Sequence, residues 1–422
     1  MKKHMYRTTD VRVADWAMIG KQTHEQHIVF GVDIAKEDMV GVLMRQDRSV
    51  IVTLKWQHPQ ESKALIEQLA TKLELASLEV VQEPSGTYGD ALRLLFQKAG
   101  LPVFRVSPKR TNDAKEVYDG VPSLHDAKSA YIIGRLHLDG ASGLWEELPG
   151  QRRELNALLG VLDMHQKHFE HNRNRLAALL SRHWPEVTSL LEPASVTLLA
   201  LLTAYGEPRQ IAANKEQAGK LMRRIGRIGL SQKKLKQVLA SAGSTIGVPC
   251  MDAELYWLRE LAQEARRGQV AVGKAKKVIE AMVSSDPTMK NMGLVLGKTS
   301  AAVLVAKQGS PLEYPSTGSY LKSLGLNLKE KSSGKYQGQL KISKRGPSMS
   351  RKYLYFAALR LFQREPIVNA WYQDKVRRDG GKKSKAVTAL MRKLAKSIWH
   401  VARGETFDAA KLFNVQTLRL TV

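Results

Sequence analysis

Along the first third of the chain, short runs of β-branched and aliphatic residues are separated by polar breaks. Ile28-Val-Phe-Gly-Val-Asp33, Met39-Val-Gly-Val-Leu-Met44 and Ser49-Val-Ile-Val-Thr-Leu-Lys-Trp56 each read as a strand, with Arg45-Gln-Asp-Arg48 as a tight turn. From Pro59 to Glu74, the positions Leu65, Ile66, Leu69 and Leu73 recur at helical spacing. Leu78–Glu83 and Leu101–Val106 read as further strands, Tyr88–Lys98 and Leu124–Leu138 as further helices. Residues 1–26 are polar without a period and are expected to form a loose extension.

Three strands followed by alternating helix and strand give the β-β-β-α-β-α-β-α order of an α/β RNase H-like fold over residues 27–150. Residues 151–285 read as a long-helix, coiled-coil region. Leu155, Leu162, Phe169 and Leu176 repeat every seven residues from Glu154 to about Trp184, and a second long helix runs from about Ala253 to Met282. The two could pair within one chain or between chains. Between them, Lys215 to Ala242 is basic and helical, broken at Gly226 and Gly229; an ordinary helical subdomain fits it better than a helix-turn-helix. Residues 286–405 form a mostly α module, and 406–422 a tail. In that module Gly293-Leu-Val-Leu-Gly297 precedes the helix Ser300–Lys307, like a helix-hairpin-helix whose N–H groups hold phosphates. Leu324-Gly-Leu326, a Gly/Ser/Lys-rich loop from Lys329 to Gly346, and basic helices at Ser350–Gln363 and Lys385–Val401 follow.

Charge changes the picture. The 422 residues hold 66 Lys+Arg against 40 Asp+Glu, a net charge of +26. Residues 1–150 carry 19 basic and 20 acidic residues, whereas 321–403 carry 21 and 4. A neutral module joined to a strongly basic one points to a polyanion, with nucleic acid the obvious partner. The single cysteine, Cys250, excludes a disulfide framework and a Cys-rich zinc site. With no apolar leader at Met1 and no 18-residue apolar run, the expected setting is soluble, reducing and cytoplasmic, with no membrane partner.

Two constellations could carry chemistry. Asp33 ends the first strand, Glu83 the fourth, and Asp126 lies near the start of the third helix. In an RNase H-like sheet the two strands are neighbours, so the carboxylates leave at one edge. Clustered carboxylates repel unless a cation joins them, and oxygen ligands select Mg²⁺ or Mn²⁺. Plainer roles compete: a solvated strand end for Asp33, a strand terminus for Glu83 before Pro84, and a capping box for Ser123-x-x-Asp126 worth about 1 kcal/mol. The second constellation is Lys331-Ser-Ser-Gly-Lys335 with Lys341, Lys344, Arg345, Arg351 and Lys352. A serine attacks only when cations or a base favour its alkoxide, and these cations would also stabilise charge on a phosphate. A basic loop gripping DNA backbone explains the same residues. Tyr353, Tyr355 and Trp371 are candidates for stacking on RNA bases, although Tyr355 and Phe356 read more readily as core.

Taken together, the chain resembles the DEDD-type transposases of the insertion sequence 110 family over about residues 27–405. The resemblance is carried by Val29-Phe-Gly-Val-Asp-Ile-Ala-Lys36, Gln82-Glu-Pro-Ser85, His125-Asp-Ala-Lys-Ser-Ala130, Leu324-Gly-Leu326, Ser332-Ser-Gly334 and Lys341-Ile-Ser-Lys-Arg-Gly346. It implies a RuvC-like N-terminal domain and a C-terminal transposase domain, in a bacterial or archaeal recombinase associated with the nucleoid. Such an enzyme cuts and rejoins double-stranded DNA at element ends and target, guided by a noncoding RNA. The resemblance makes Asp33, Glu83 and Asp126 metal ligands, and Ser333 the nucleophile that links covalently to DNA, with Ser332 as fallback. It also implies a homo-oligomer, dimer or tetramer, in which the acidic site of one subunit meets the serine of another. Two positions depart from the family. Its fourth acid normally stands three residues before Asp126, where this chain has Ser123; either Asp119 substitutes, the favoured expectation, or the site works with three carboxylates. Its Pro-Gly-Ile-Gly hairpin appears as Met292-Gly-Leu-Val-Leu-Gly297. Two other functions stay open: a RuvC-like nuclease that hydrolyses junctions, and a degenerate relative that binds nucleic acid without cutting.

Overall fold

A computed structural model describes residues 6–330, 338 and 340–413. The chain divides into two compact units, Met1–Glu147 and Leu148–Val422.

The first unit is built on a seven-stranded mixed sheet. Its strands are β1 (Thr8–Asp10), β2 (Ile28–Asp33), β3 (Asp38–Arg45), β4 (Val50–Gln57), β5 (Leu78–Gln82), β6 (Val103–Val106) and β7 (Ser142–Leu144), in the order β1-β4-β3-β2-β5-β6-β7. β2 pairs antiparallel with β3 and parallel with β5, so it is central and covered on both faces. That is why its residues up to Val32 are all buried and apolar or glycine rather than alternating. Phe30, Val32 and Val80 point into one core, under α2 (Ser62–Lys72) and α3 (Asp90–Lys98). Val29, Val42, Met44 and Val81 point into the other, with α4 (Pro108–Asp113) at its margin and α5 (Asp126–Leu138) across it. The helix α1 (Trp16–Thr23) completes the unit.

This is the mixed sheet of an RNase H-like fold, and β2 to β6 fall where the pattern placed them. The expected loose extension is corrected: β1 pairs parallel with β4, and α1 buries Trp16, Ile19 and Thr23. Three inward positions on an eight-residue helix are too few to announce a period. The short α4 and β7 were equally silent.

In the second unit, α6 (Gly150–His183) and α12 (Asp252–Ser285) pair antiparallel within the chain. Leu155, Leu159 and Leu162 share a core with Ile279 and Val283, while Leu176 and Leu180 share another with Leu258, Leu261 and Ala265. Gly268 permits the close approach midway, since a β-carbon there would lie 3.2 Å from that of Phe169. The connection between them folds as α7 (Val187–Leu190), α8 (Val196–Tyr205), α9 (Pro208–Ala213), α10 (Lys215–Gly226) and α11 (Gln232–Gly243).

Beyond α12, the helices α13 (Pro287–Leu296) and α14 (Lys298–Gln308) form the expected hairpin about Gly297, whose φ of +82° suits glycine. Then follow α15 (Thr317–Ser323), the strands β8 (Leu328–Lys329) and β9 (Lys341–Ile342), and α16 (Ser348–Arg364), α17 (Pro366–Arg378) and α18 (Lys383–Val401). Tyr320, Leu324, Leu326, Leu354, Leu390 and Leu394 share their core. The pattern did not announce α17. Among the described residues, no helix is long and apolar enough to cross a membrane.

Candidate active site

β2 and β5 run parallel with Val32 opposite Gln82, so Asp33 and Glu83 are the next residues in register and leave the sheet at the same edge. Alternation along β2 sends Val29, Gly31 and Asp33 toward the α5 face, and Val81 and Glu83 do the same from β5. α5 lies directly on β2 because neither Gly31 nor Gly134 has a side chain. A β-carbon on Gly31 would sit 2.5 Å from the Ala130 carbonyl oxygen, and one on Gly134 would sit 2.7 Å from Met44 Sδ. Asp126, Ala130 and Gly134 follow one another at i, i+4 and i+8, so the helix face that touches β2 ends in Asp126.

The three carboxylates interact. Burial, then the charge of Asp126, then that of Glu83 raise the Asp33 carboxyl to about 7, against a hydrogen bond from the Ile34 backbone. An all-oxygen set under mutual repulsion is the donor chemistry of a hard divalent cation. Among the described residues, no three His, Cys, Asp or Glu side chains form a ready-made metal cage. The fit is therefore one of donor type and charge.

The helix start also decides the competing role of Asp126. No Ser123 capping box forms: α5 begins at Asp126, and its N-cap is His125, whose Nδ1 accepts from the Lys128 N–H at 3.3 Å. Asp126 has no capping task.

Asp119 is engaged elsewhere. Lys128 Nζ donates to its Oδ1 at 2.9 Å, Tyr6 OH to Oδ2 at 2.9 Å, and the Val121 N–H to Oδ1 at 3.0 Å. Burial raises its pKa, but the bonds from Lys128, Val121 and Tyr6 outweigh this and hold the carboxyl at about 2. The groups acting on Asp33 are Asp126 and Glu83, not Asp119. The structure thus does not bring Asp119 to the other three carboxylates. No local pattern announces these bonds, because Tyr6 lies far from Asp119 in the chain and Lys128 sits on an apolar helix.

In the second unit, Lys331, Ser332, Ser333 and Lys335 lie outside the described residues. Their frame is well defined. Leu328 pairs with Ile342 and Lys329 with Lys341, so β8 and β9 bring the two ends of the loop side by side. The Ser343 N–H donates to Asn327 O at 2.8 Å and the Lys344 N–H to Gly325 O at 2.9 Å. Gly325, at φ +68°, packs on the Arg345 backbone, where a β-carbon would meet its nitrogen and oxygen at 2.8 Å. Beside this clasp is a cleft of about 580 Å³ lined by Lys322, Asn327, Lys329, Ser343 and Arg345 among others.

The expected nucleic-acid contacts separate into two kinds. Lys341, Lys344, Arg345 and Lys352 are exposed, whereas Arg351 donates to Gly346 O at 2.7 Å and Leu324 O at 3.4 Å. Arg351 fastens the clasp to α16. The hairpin at Gly297 is similarly engaged by Arg360, which donates to Leu296 O at 2.6 Å and Ser300 Oγ at 3.0 Å. The aromatic expectation is reversed. Tyr353 and Trp371 are core residues, while Tyr355 and Phe356 are 38% and 42% exposed with ring centroids 6.0 Å apart. Leu354, Ala357, Ala358 and Leu361 define the buried stripe of α16, and positions 355 and 356 fall off it.

A transposase family model for the DEDD domain of IS110 elements matches residues 30–185, which include all three carboxylates. A second, described as transposase IS116/IS110/IS902 family, matches residues 295–373, which include the serine doublet and its clasp. No protein of curated function matches the chain. The two models of one family together cover more than half the chain and agree with the mixed sheet and with the helical module that follows it in sequence. The chain belongs to the IS110 family of DEDD-type DNA transposases.

Proposed function

We propose that this transposase cuts and rejoins DNA for its insertion sequence through a serine–DNA intermediate, with Mg²⁺ or Mn²⁺ held by Asp33, Glu83 and Asp126. The observation that carries the proposal is the convergence of these three carboxylates at one sheet edge, where burial first, and then the charges of Asp126 and Glu83, raise Asp33 to about 7. A bound divalent cation would neutralise them and stabilise charge on a phosphodiester oxygen. In the step itself Ser333 Oγ, or Ser332 Oγ, loses its proton and bonds to phosphorus. The phosphorus–oxygen bond to the neighbouring nucleoside breaks, and that oxygen takes a proton. Running the step backward against another strand rejoins DNA with no outside energy source. Lys341, Lys344 and Arg345 would hold the phosphate, and Tyr355 with Phe356 would offer a stacking surface to a noncoding guide RNA. Assembly as a dimer or tetramer would let the carboxylates of one subunit serve the serine of another.

The test is a denaturing gel of protein with cognate DNA and RNA. A protein–DNA adduct that Ser333→Ala or Ser332→Ala abolishes is expected; an adduct that survives both changes overturns the nucleophile. A second function, a relative that binds without cutting, is favoured by Ser123 and by the absence of a ready-made cage among the described residues. Divalent-ion binding that Asp33→Asn removes would exclude it.

A further inference from the structure

The helices joining α6 to α12 serve neither constellation. Ala218 and Met222 on α10 and Leu235, Val238 and Leu239 on α11 are buried in the subdomain core. The outer side is basic. Residues 215–236 hold eight Lys/Arg and one acid, Glu216, which Lys220 pairs at 2.6 Å. Arg223, Arg224, Arg227, Lys233, Lys234 and Lys236 are exposed, and among the described residues none of their side chains has an ion pair or hydrogen bond. Between the helices a 3₁₀ turn, Arg227–Gly229, forms the apex, and Ile228 on it is wholly exposed. Arg227 holds φ +44° and ψ −135°, a conformation that side-chain-bearing residues rarely adopt. Gly226 lets the turn close, since a β-carbon there would lie 2.6 Å from that of Leu230, which packs on the core. The turn therefore sends Leu230 in and Ile228 out at a cost in backbone strain.

We propose that this knob is a second contact for double-stranded DNA, in which the six free cations grip the backbone and Ile228 enters the minor groove as an apolar wedge. Unpaired cations gathered on two successive helices and the turn between them suit a phosphate backbone, and branched aliphatic side chains inserted at a base step kink a duplex. Duplex DNA suits this surface better than RNA. Residues 207–248 contain no aromatic residue and no histidine, so the knob has no platform for unpaired bases. The contact rests on the family's action on DNA and not on the carboxylate or serine chemistry, so binding alone tests it.

The experiment compares the full-length protein with Arg223→Glu/Arg224→Glu/Arg227→Glu, with Ile228→Ala, and with a control of equal charge change on α12, Arg266→Glu/Lys274→Glu/Lys277→Glu. Binding to a random duplex of about 30 bp is followed by anisotropy across a salt series, with a hairpin RNA in parallel and circular dichroism to verify folding. The knob triple should weaken duplex binding roughly tenfold or more and flatten the salt slope by about 3. Ile228→Ala should keep the slope, weaken binding a few-fold and reduce bending of end-labelled DNA. Unchanged duplex binding, an equal loss in the α12 control, or a loss confined to RNA each overturns the proposal. If the triple is misfolded, Arg223→Gln/Arg224→Gln/Arg227→Gln decides by the same criteria.

Discussion

Lys128 and Asp119 form an ion pair at 2.9 Å inside the first unit, with side chains only 2% and 7% exposed. Removing one member leaves the other buried and unpaired, which costs about 3 kcal/mol or more. Asp119→Ala should therefore lower the melting temperature sharply, and Asp119→Leu/Lys128→Met should recover much of the loss. Because the Asp119 pKa is depressed, its contribution is complete above about pH 4 and is lost as pH falls through about 2. The gap between wild type and Asp119→Asn should close over that interval. Under mild conditions Asp119→Asn should still cleave DNA per folded molecule; loss of cleavage with unchanged stability would instead make Asp119 a ligand.

Asp33 has the opposite sign. Its raised pKa means that the folded chain holds this proton more tightly than the unfolded chain, so metal-free stability falls as pH rises from about 4 through 7. In chelator at pH 8, Asp33→Asn should be more stable than wild type by on the order of 2 kcal/mol. Adding Mg²⁺ should raise the wild-type melting temperature and leave Asp33→Asn unmoved. Calorimetry across pH, with and without the ion, checks both; parallel pH profiles would refute the buried, repelled carboxylate.

Gly31→Ala should push α5 off β2, because its new methyl group has backbone rather than a flexible side chain in its way. Overpacking of this kind costs about 1–3 kcal/mol. The same shift carries Asp126 away from Asp33, so cleavage should fall further than stability explains. A variant that melts and cleaves like wild type would show that the helix need not lie this close.

Arg351 separates positioning from binding. Arg351→Lys keeps the charge but loses the planar guanidinium whose Nη1 donates to both Gly346 O and Leu324 O. Single-turnover cleavage should fall by roughly tenfold to a hundredfold while DNA affinity and its salt slope stay within about twofold. Equal losses in affinity and rate would return Arg351 to the group of DNA contacts.

The sheet was legible because β2, β3 and β5 are buried runs that only a central strand tolerates, and the places of Asp33 and Glu83 at the ends of β2 and β5 followed. What stayed hidden depends on contacts between distant residues. Trp16 and Ile19 reveal α1 only once Leu69 and its neighbours are in place. Nothing local in Tyr118-Asp-Gly-Val-Pro-Ser123 says that Asp119 is bonded by Tyr6 and Lys128. Tyr355 and Phe356 looked like core by residue type, yet the stripe set by Leu354, Ala357 and Leu361 leaves them outside. The serine doublet was recognisable by its neighbours alone, and neither serine is among the described residues.

The two-residue pairing of β8 with β9 has a consequence for how such enzymes diverge. The ladder sets Lys329 against Lys341, and Ser343 and Lys344 tie the same point to Asn327 and Gly325. Entry and exit of the serine segment are thus fixed independently of what lies between them. Doubling the length of such a segment adds only about 0.6 kcal/mol of closure entropy. If the proposed serine chemistry holds, its nucleophile would be carried on an exchangeable cassette, whose length and composition could drift toward new substrates while the helices that frame it keep their packing.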